Sequence, residues 1–414
     1  MELKRVVVTG LGALTPLGNN LADTWQGLVS GVSGAAPITH FDATKFKTRF
    51  ACEVKNFDGT KLIGKEARKM DLFAQYAIVA SEEAIKDSQL DLPNEDRNKI
   101  GVVWGTGIGG IKTYFDEAKD FVLGDGTPRF SPFFIPKIIA DIAPGYISIR
   151  NGLGGPNFGT VSACASSTSA LVVAFDLIRL GRATAVVSGG SEAPITVSGV
   201  GGFTSMKALS SRNDDPQTAS RPFDKDRDGF VIGEGAACLV LEEYEHAVKR
   251  GAHIYCELAG GGHSGDAYHI TAPHPEGDGA ARVMAEALRD ANLTPADIDY
   301  INVHGTSTPL GDKGELIAIG KVFGDDAYRL NISSTKSMTG HLLGATGALE
   351  AIACVKTIEQ GIIPPTINHF TDDPEIDSKL NLTFNEAQTR KVRAAMSNTF
   401  GFGGHNGTVV FKAI

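Results

Sequence analysis

Cys164 stands where a strand-like run, Thr160 to Ser162, turns into a helix-like one, in Thr160-Val-Ser-Ala-Cys164-Ala-Ser-Ser. A thiol at a helix N-terminus meets unpaired backbone N–H groups and the positive end of the dipole, which favour thiolate and lower its pKa. That is a nucleophile's position. The same N–H groups would hold an oxyanion, and the small neighbours Ala163, Ala165, Ser166 and Ser167 would let a carbonyl approach. Two histidines occupy comparable places: His304 ends Ile301-Asn-Val303 and opens GTSTPLGD, and His341 precedes a second helix-like run. Residues at strand ends beside glycine-rich bends face the crevice where α/β proteins bind ligands. Lys336, five residues before His341, and Glu350, nine after it, would form a buried pair fixing that imidazole. Any one of these residues alone reads equally well as packing, and Cys52, Cys238, Cys256 and Cys354 are read that way. Together, at four comparable turns, Cys, His, Lys and His describe a site.

Positioning such groups requires strands that end at turns. Short Val- and Ile-rich runs at Val6 to Thr9, Ile100 to Gly105, Thr160 to Ser162, Ala185 to Ser188, Ile301 to His304 and Leu330 to Ser334 alternate with amphipathic stretches of helix length. This predicts an α/β protein whose buried strands are covered on both faces. Asn381 to Phe384, Ala394 to Asn398 and Thr408 to Lys412 follow without helices and predict antiparallel closure. Helices are expected over Cys164 to Gly181 and Gly344 to Gly361. Aligned on their terminal glycines, Leu171, Val172, Phe175 and Ile178 fall on Ala351, Ile352, Val355 and Ile358, an offset of 180 residues. Two halves of like topology are expected, 1–250 and 251–414, with a charged helix at Glu242 to Arg250 and a fresh strand at His253 marking the junction.

The chain has 414 residues, enough for about three domains at ~150 each, or two large ones. Its 42% apolar and 21% charged residues exclude disorder and fibre. With 39 Lys and Arg against 48 Asp and Glu, the net charge of −9 has the wrong sign for nucleic acid binding. Five scattered cysteines argue against a disulfide framework and for a reducing compartment. MELKRVVVTGLG reads as strand and turn, not as an export signal, and no apolar run approaches the ~18 residues of a membrane span. A cytoplasmic location is expected. Glycine departs from average: 49 are present where ~7% usage gives roughly 29.

Three motifs are decoys. Gly105-Thr-Gly107-Ile-Gly-Gly110 fits a dinucleotide fingerprint, but Asp125 lies in a turn-rich loop, so close backbone packing is expected instead. Asp224-Lys-Asp226-Arg-Asp228-Gly229 opens like a calcium loop, yet Gly235 stands where the bidentate Glu belongs, and a salt-bridged turn is expected. His263, His269 and His274, in a Gly-rich loop without helical spacing, do not form a zinc site. No metal and no cofactor is expected.

SACASS around Cys164, PFDKDRDGFVIGEGA from Pro222, HGTSTPLGD from His304, TKSMTGHLLGATG from Thr335 and SNTFGFGGHNG from Ser397 resemble the elongating β-ketoacyl-[acyl-carrier-protein] synthases, type II in particular. The resemblance runs from VVVTGLGALTPLG to the last strand. It implies the thiolase-like fold, layered αβαβα, with two βαβαβαββ halves related by a pseudo-twofold. It implies that Cys164 takes an acyl group from acyl carrier protein. Malonyl carrier protein then loses CO2, and the resulting enolate attacks the thioester in a decarboxylative Claisen condensation of fatty acid elongation. His304 and His341 would donate N–H groups to the enolate. Lys336 is implied as a fourth catalytic residue and, with Glu350, would set the charge and orientation of His341. The backbone N–H groups of Cys164 and Phe402 would form a second oxyanion hole, with Phe402 and Phe400 in a gating turn. Thr306 and Thr308 would bind the phosphopantetheine arm. Ile108 and Phe203 would line the acyl pocket, and Phe133 and Ile138 would reach it across a homodimer interface.

His405 and Ser162 replace threonines common in the family, and neither is expected to touch the chemistry. An acidic carrier needs a basic exception on a −9 chain, and Lys65, Arg68 and Lys69, with Lys207, supply one. Rival readings are a ketosynthase of type II polyketide assembly, a cysteine hydrolase and a non-catalytic partner subunit. A hydrolase would not need the second imidazole or the Lys336 and Glu350 pair. A non-catalytic subunit would not need the nucleophile.

Overall fold

The computed structural model describes residues 3–414, and among these one ten-stranded sheet dominates. Five strands come from the first half: β1 (Val6–Leu14), β2 (Ile100–Gly105), β3 (Asn157–Thr160), β4 (Ala185–Glu192) and β5 (Gly235–Glu243). Five come from the second: β6 (Cys256–Gly265), β7 (Tyr300–Asn302), β8 (Asn331–Ser333), β9 (Ala394–Gly401) and β10 (His405–Lys412). Their order is β8-β7-β9-β10-β6-β1-β5-β4-β2-β3. Read outward from the centre, each half repeats the order first, fifth, fourth, second, third. The pairings repeat as well, antiparallel near the centre and parallel at both ends, and β1 meets β6 antiparallel through Val6 opposite Leu258. The order and pairings therefore carry a pseudo-twofold between β1 and β6.

Five helices matter for the site: α1 (Leu72–Ser88), α2 (Ser166–Arg179), α3 (Asp278–Asp290), α4 (Pro309–Phe323) and α5 (Thr346–Gln360). Strand side chains alternate between faces, so each half-sheet feeds two cores. Val103, Val186, Leu239 and Leu241 point inward onto Leu171, Phe175 and Ile178 of α2 and Ala351, Ile352 and Val355 of α5. Val102, Trp104, Val187 and Val240 point outward onto Phe73, Ala77 and Ile78 of α1. In the second half Ile301, Met396 and Val410 face Met284 and Leu288 of α3 and Ile319 of α4. The result is helix, sheet, paired helices, sheet, helix, the αβαβα layering. Each fully buried Leu, Ile or Phe contributes roughly 1.5–3 kcal/mol, so the central helices are fixed chiefly by their apolar faces.

Several boundaries differ from expectation. β3 ends at Thr160, leaving Ser162 beyond it, and His304 lies two residues past β7. Glu242 and Glu243 belong to β5, the helix spans Tyr244–Lys249, and the next strand opens at Cys256, not His253. Asn381 and Phe384 make only isolated bridges, to Asn331 and Thr366. His263 is in strand β6, not a loop. The sheet is continuous across the expected 250/251 junction, and Met1 and Glu2 of the first half lie outside the described residues. No helix among the described residues is long and apolar enough to cross a membrane.

Candidate active site

Two elbows bring the chemistry together. Ala163 (φ 52°) and Leu343 (φ 47°), 180 positions apart, both adopt the left-handed region that side chains disfavour. Each opens a single 3-10 turn, Ala163–Ala165 or Leu343–Ala345, leading into α2 or α5. The first elbow presents Cys164. The second places Gly344 at the equivalent position, where an added Cβ would lie 2.3 Å from the Gly107 nitrogen. Buried Glu192 ties the second elbow to the glycine-rich loop, accepting from Gly107 N (2.6 Å), Ile108 N (3.1 Å), Thr106 Oγ1 (2.8 Å) and Gly344 N (2.9 Å). The glycine-rich decoy is thus held by a carboxylate and close packing.

Cys164 Sγ and one nitrogen from each of His304 and His341 lie within 4.8 Å of one another, all three residues buried. The imidazole centroids are 5.2 Å apart with planes at 86°. His304 Nδ1 and His341 Nε2 are buried without hydrogen-bond partners. Burial first, then the Lys336 ammonium, holds both imidazoles well below the ordinary 6.5, so they are neutral. Burial pushes the Cys164 thiol up to about 11, against the Phe402 N–H, the Lys336 charge and the cysteine's own N–H. The expectation of a lowered thiol pKa is therefore reversed: desolvation outweighs the helix terminus. Three such ligands have the composition of a soft divalent-metal site, and equally that of a nucleophile flanked by two N–H donors.

Lys336 and Glu350 form a buried ion pair; burial raises the Glu350 carboxyl and the ammonium lowers it. Lys336 does not open on the cavity and acts through its charge. His341 is held elsewhere: its Nδ1 lies 2.9 Å from Thr346 Oγ1, and Phe230 meets its ring edge-on at 5.4 Å. The His304 and Gly305 N–H groups each donate to Glu315 at 2.9 Å. Thr346, Phe230, Glu192 and Glu315 were not singled out from the sequence. The signal for Glu315 was an acid in the first two turns of a helix opened by Pro309.

A cavity of about 800 Å³ opens above these groups, lined by Cys164, His304, His341, Thr306, Thr308, Phe203, Phe400, Phe402 and Lys207. Phe400 lies 5.8 Å from the His304 ring and Phe402 lies 6.4 Å from Phe203. Ile108, Phe133 and Ile138 do not line it, nor do Lys65, Arg68 and Lys69. Glu192 holds the Ile108 backbone, and the residue is 37% exposed. Phe133 is also exposed, with the Lys69 ammonium 5.6 Å from its ring centroid. Neither Ser162 nor His405 reaches the cavity.

His341 is seated by exchange with Val231 and Gly233: its N–H donates to Val231 O (2.7 Å), and Gly233 N donates to His341 O (2.9 Å). The next residue, Glu234, is buried beside Glu53 and Tyr76, accepts from Val54 N, and is pushed up to about 8 by burial. Between its ordinary 4.5 and about 8 the folded chain holds a proton that the unfolded chain has released. Stability from this group is full below that window and lost as pH rises through it. The melting temperature is expected to fall from pH 6 to pH 9, and Glu234→Gln should flatten the fall. Equal slopes in the two proteins would refute this.

The family described as "Beta-ketoacyl synthase, N-terminal domain" matches residues 3–247, and "Beta-ketoacyl synthase, C-terminal domain" matches residues 255–370. The chain is 51% identical over 410 residues to a "3-oxoacyl-[acyl-carrier-protein] synthase 2" of Staphylococcus aureus, covering 99% of this chain and 98% of that one. It is 52% identical over 413 residues to a protein of the same name from Synechocystis sp., covering 100% and 99%. Among solved structures, a β-ketoacyl synthase from Burkholderia phymatum superposes with a TM-score of 0.91 at 35% identity, covering 99% and 100%.

Proposed function

The chain belongs to the β-ketoacyl synthase family, and from that premise we propose that it is a 3-oxoacyl-[acyl-carrier-protein] synthase of fatty acid chain elongation. The observation that carries this is the neutral pair of imidazoles beside a single thiol on the wall of a cavity of about 800 Å³. In the first step the Cys164 sulfur attacks an acyl thioester, its proton passes to the carrier's departing thiol, and the acyl group stays on sulfur. The N–H groups of Cys164 and Phe402 receive the carbonyl oxygen. In the second, a malonyl thioester loses CO2; the electron pair of the broken bond becomes an enolate, which His304 and His341 stabilise. In the third, the enolate carbon attacks the acyl carbonyl, the bond from that carbon to the Cys164 sulfur breaks, the sulfur regains a proton from water, and a 3-oxoacyl group leaves on the second carrier. No step needs a strong base. The residues present need no cofactor for it.

The carrier partner follows from the family and from the shape: Thr306 and Thr308 offer hydroxyls along the cavity, and exposed Lys207 lines it. Lys65, Arg68 and Lys69 give the basic docking ground, on the short helix Lys65–Lys69. A homodimer would cover edge strand β3, where Phe158 is exposed, together with neighbouring Val161, Tyr114, Phe121 and Phe133. Cytoplasmic residence fits free cysteines throughout.

Intact-protein mass spectrometry tests the reading. After incubation with acyl carrier proteins of graded chain length, one acyl mass should appear, mapped by peptide analysis to Cys164. Acylation elsewhere, or none with any chain, would overturn it.

A further inference from the structure

The run Asp224 to Gly229, read from sequence as a salt-bridged turn, lies beside the cavity, and its central arginine has no part in the chemistry above. Asp224 is occupied as an acceptor, from Phe370 N (2.7 Å), Thr371 N (2.8 Å) and Asp226 N (2.8 Å). Arg227, whose side chain is 4% exposed, points the other way. Its Nη1 donates to Asp224 O (2.8 Å) and Asp373 Oδ2 (2.6 Å), its Nε to Thr308 O (3.3 Å) and its Nη2 to Pro309 O (3.1 Å). Nε also stands 3.6 Å from Asp312 Oδ2.

Asp312, in the first turn of α4, completes the frame. It accepts from Ser307 N (3.0 Å), Thr308 N (3.3 Å) and Phe223 N (3.0 Å). Gly229 N donates to Ser307 O (3.1 Å), and Arg221 N to Ser307 Oγ (3.0 Å). Every backbone polar group of residues 307 to 309 is thereby bonded to this motif or to the start of α4. The segment needs such holding, because Ser307 sits at φ 68° without being glycine. What it presents in return is the pair of hydroxyls of Thr306 and Thr308, 3.0 Å apart on the cavity wall.

We propose that Arg227 is a positioning residue that sets Thr306 and Thr308 for the amide-bearing arm of the carrier. The role rests on the proposed use of carrier-borne thioesters. A planar guanidinium is required because donors must leave in separate directions toward Thr308, Pro309, Asp224 and Asp373; a lysine ammonium cannot hold that fork.

Arg227→Lys, Arg227→Met and, at the outer end of the frame, Asp373→Asn test it. Each is assayed with acyl and malonyl groups on carrier protein, and with the same groups on a short alkyl thiol that lacks the arm's amides. For Arg227→Met the KM for carrier substrates should rise about tenfold, with kcat falling less than KM rises. Arg227→Lys and Asp373→Asn should shift KM the same way but less, and the preference for arm-bearing over armless thioesters should fall in parallel. A rise shared equally by both kinds of thioester marks a merely structural residue and overturns the proposal, as does an unchanged KM. Failure of the unsubstituted protein to use carrier substrates would instead overturn the proposed function.

Discussion

Cys164→Ala should abolish chain elongation, by about four orders of magnitude or more, while malonyl decarboxylation survives. The two halves of this result come from different atoms. Elongation needs sulfur to carry the acyl group, and no other cysteine can substitute, since Cys52, Cys238, Cys256 and Cys354 are buried and outside the cavity. Decarboxylation needs N–H donors at the enolate oxygen, and these belong to His304 and His341, which the substitution leaves in place. Alanine is smaller than cysteine, so the elbow at Ala163 keeps its geometry and the cavity floor gains room. Release of labelled CO2 from malonyl carrier protein, with the 3-oxoacyl product followed separately, checks both halves. Continued elongation would show that Cys164 is not the acyl carrier of the cycle.

The high thiol pKa bears on how acylation begins. A free thiol pushed up to about 11 by burial is protonated at neutral pH, so the sulfur must shed its proton as the substrate arrives. The neutral imidazoles within 4.8 Å can receive it before the departing carrier thiol does. A cysteine at a helix start is visible from the order of residue types, and so is the bias that N–H groups exert on it. The competing desolvation depends on how completely α2, α5 and β9 close around the sulfur, which is a property of three distant segments.

Other parts divide on the same line. Apolar periodicity is local, so β1, β2, α2 and α5 were legible, and the 180-residue offset matches the pseudo-twofold of sheet order and of the elbows at Ala163 and Leu343. Strand β5 is not legible in the sequence because Gly235, Ala236, Ala237 and Cys238 carry no β-branched signal, and Glu242 and Glu243 resemble the start of a helix. The small residues suit a strand packed between neighbours on both sides. Glu242 tolerates its buried position because Thr9, His246 and Arg250 all bond its carboxylate. The supports of the site are hard to read because their partners are set by folding. Glu192 bonds backbone of segments distant in sequence, and Glu315 the backbone of His304 and Gly305. Thr346, in the same motif as His341, meets its ring only once the turn at Leu343 forms. Most of the surplus glycine also finds its place in contacts: at Gly105, Gly190 and Gly347 an added Cβ would meet atoms of α2 closer than 3 Å, and at Gly344 it would meet Thr106, Gly107 and Glu192.

His304→Ala and His341→Ala should reverse the pattern of the cysteine variant. Each removes one enolate donor, and removal of a single oxyanion donor typically costs about 10²- to 10³-fold in kcat. Decarboxylation should fall by that order in both variants, while acylation of Cys164 should be impaired less, because its carbonyl is received by backbone N–H groups and the remaining imidazole can still take the thiol's proton. The neutrality of the imidazoles sharpens the test. Burial and Lys336 hold both pKa values well below 6.5, so protonation is not crossed in the ordinary histidine range. CO2 release by the unsubstituted protein should therefore stay level as pH falls through 6.5, the ordinary histidine value, and decline only at lower pH, where the donors become cations. Lys336→Met should raise both imidazole pKa values and bring the decline upward in pH, because it removes the charge that opposes their protonation. An unaltered rate in either alanine variant would take that histidine out of the enolate site. A wild-type rate that instead declined with a titration centred near 6.5 would mean that burial and Lys336 do not hold the imidazoles below the ordinary histidine value.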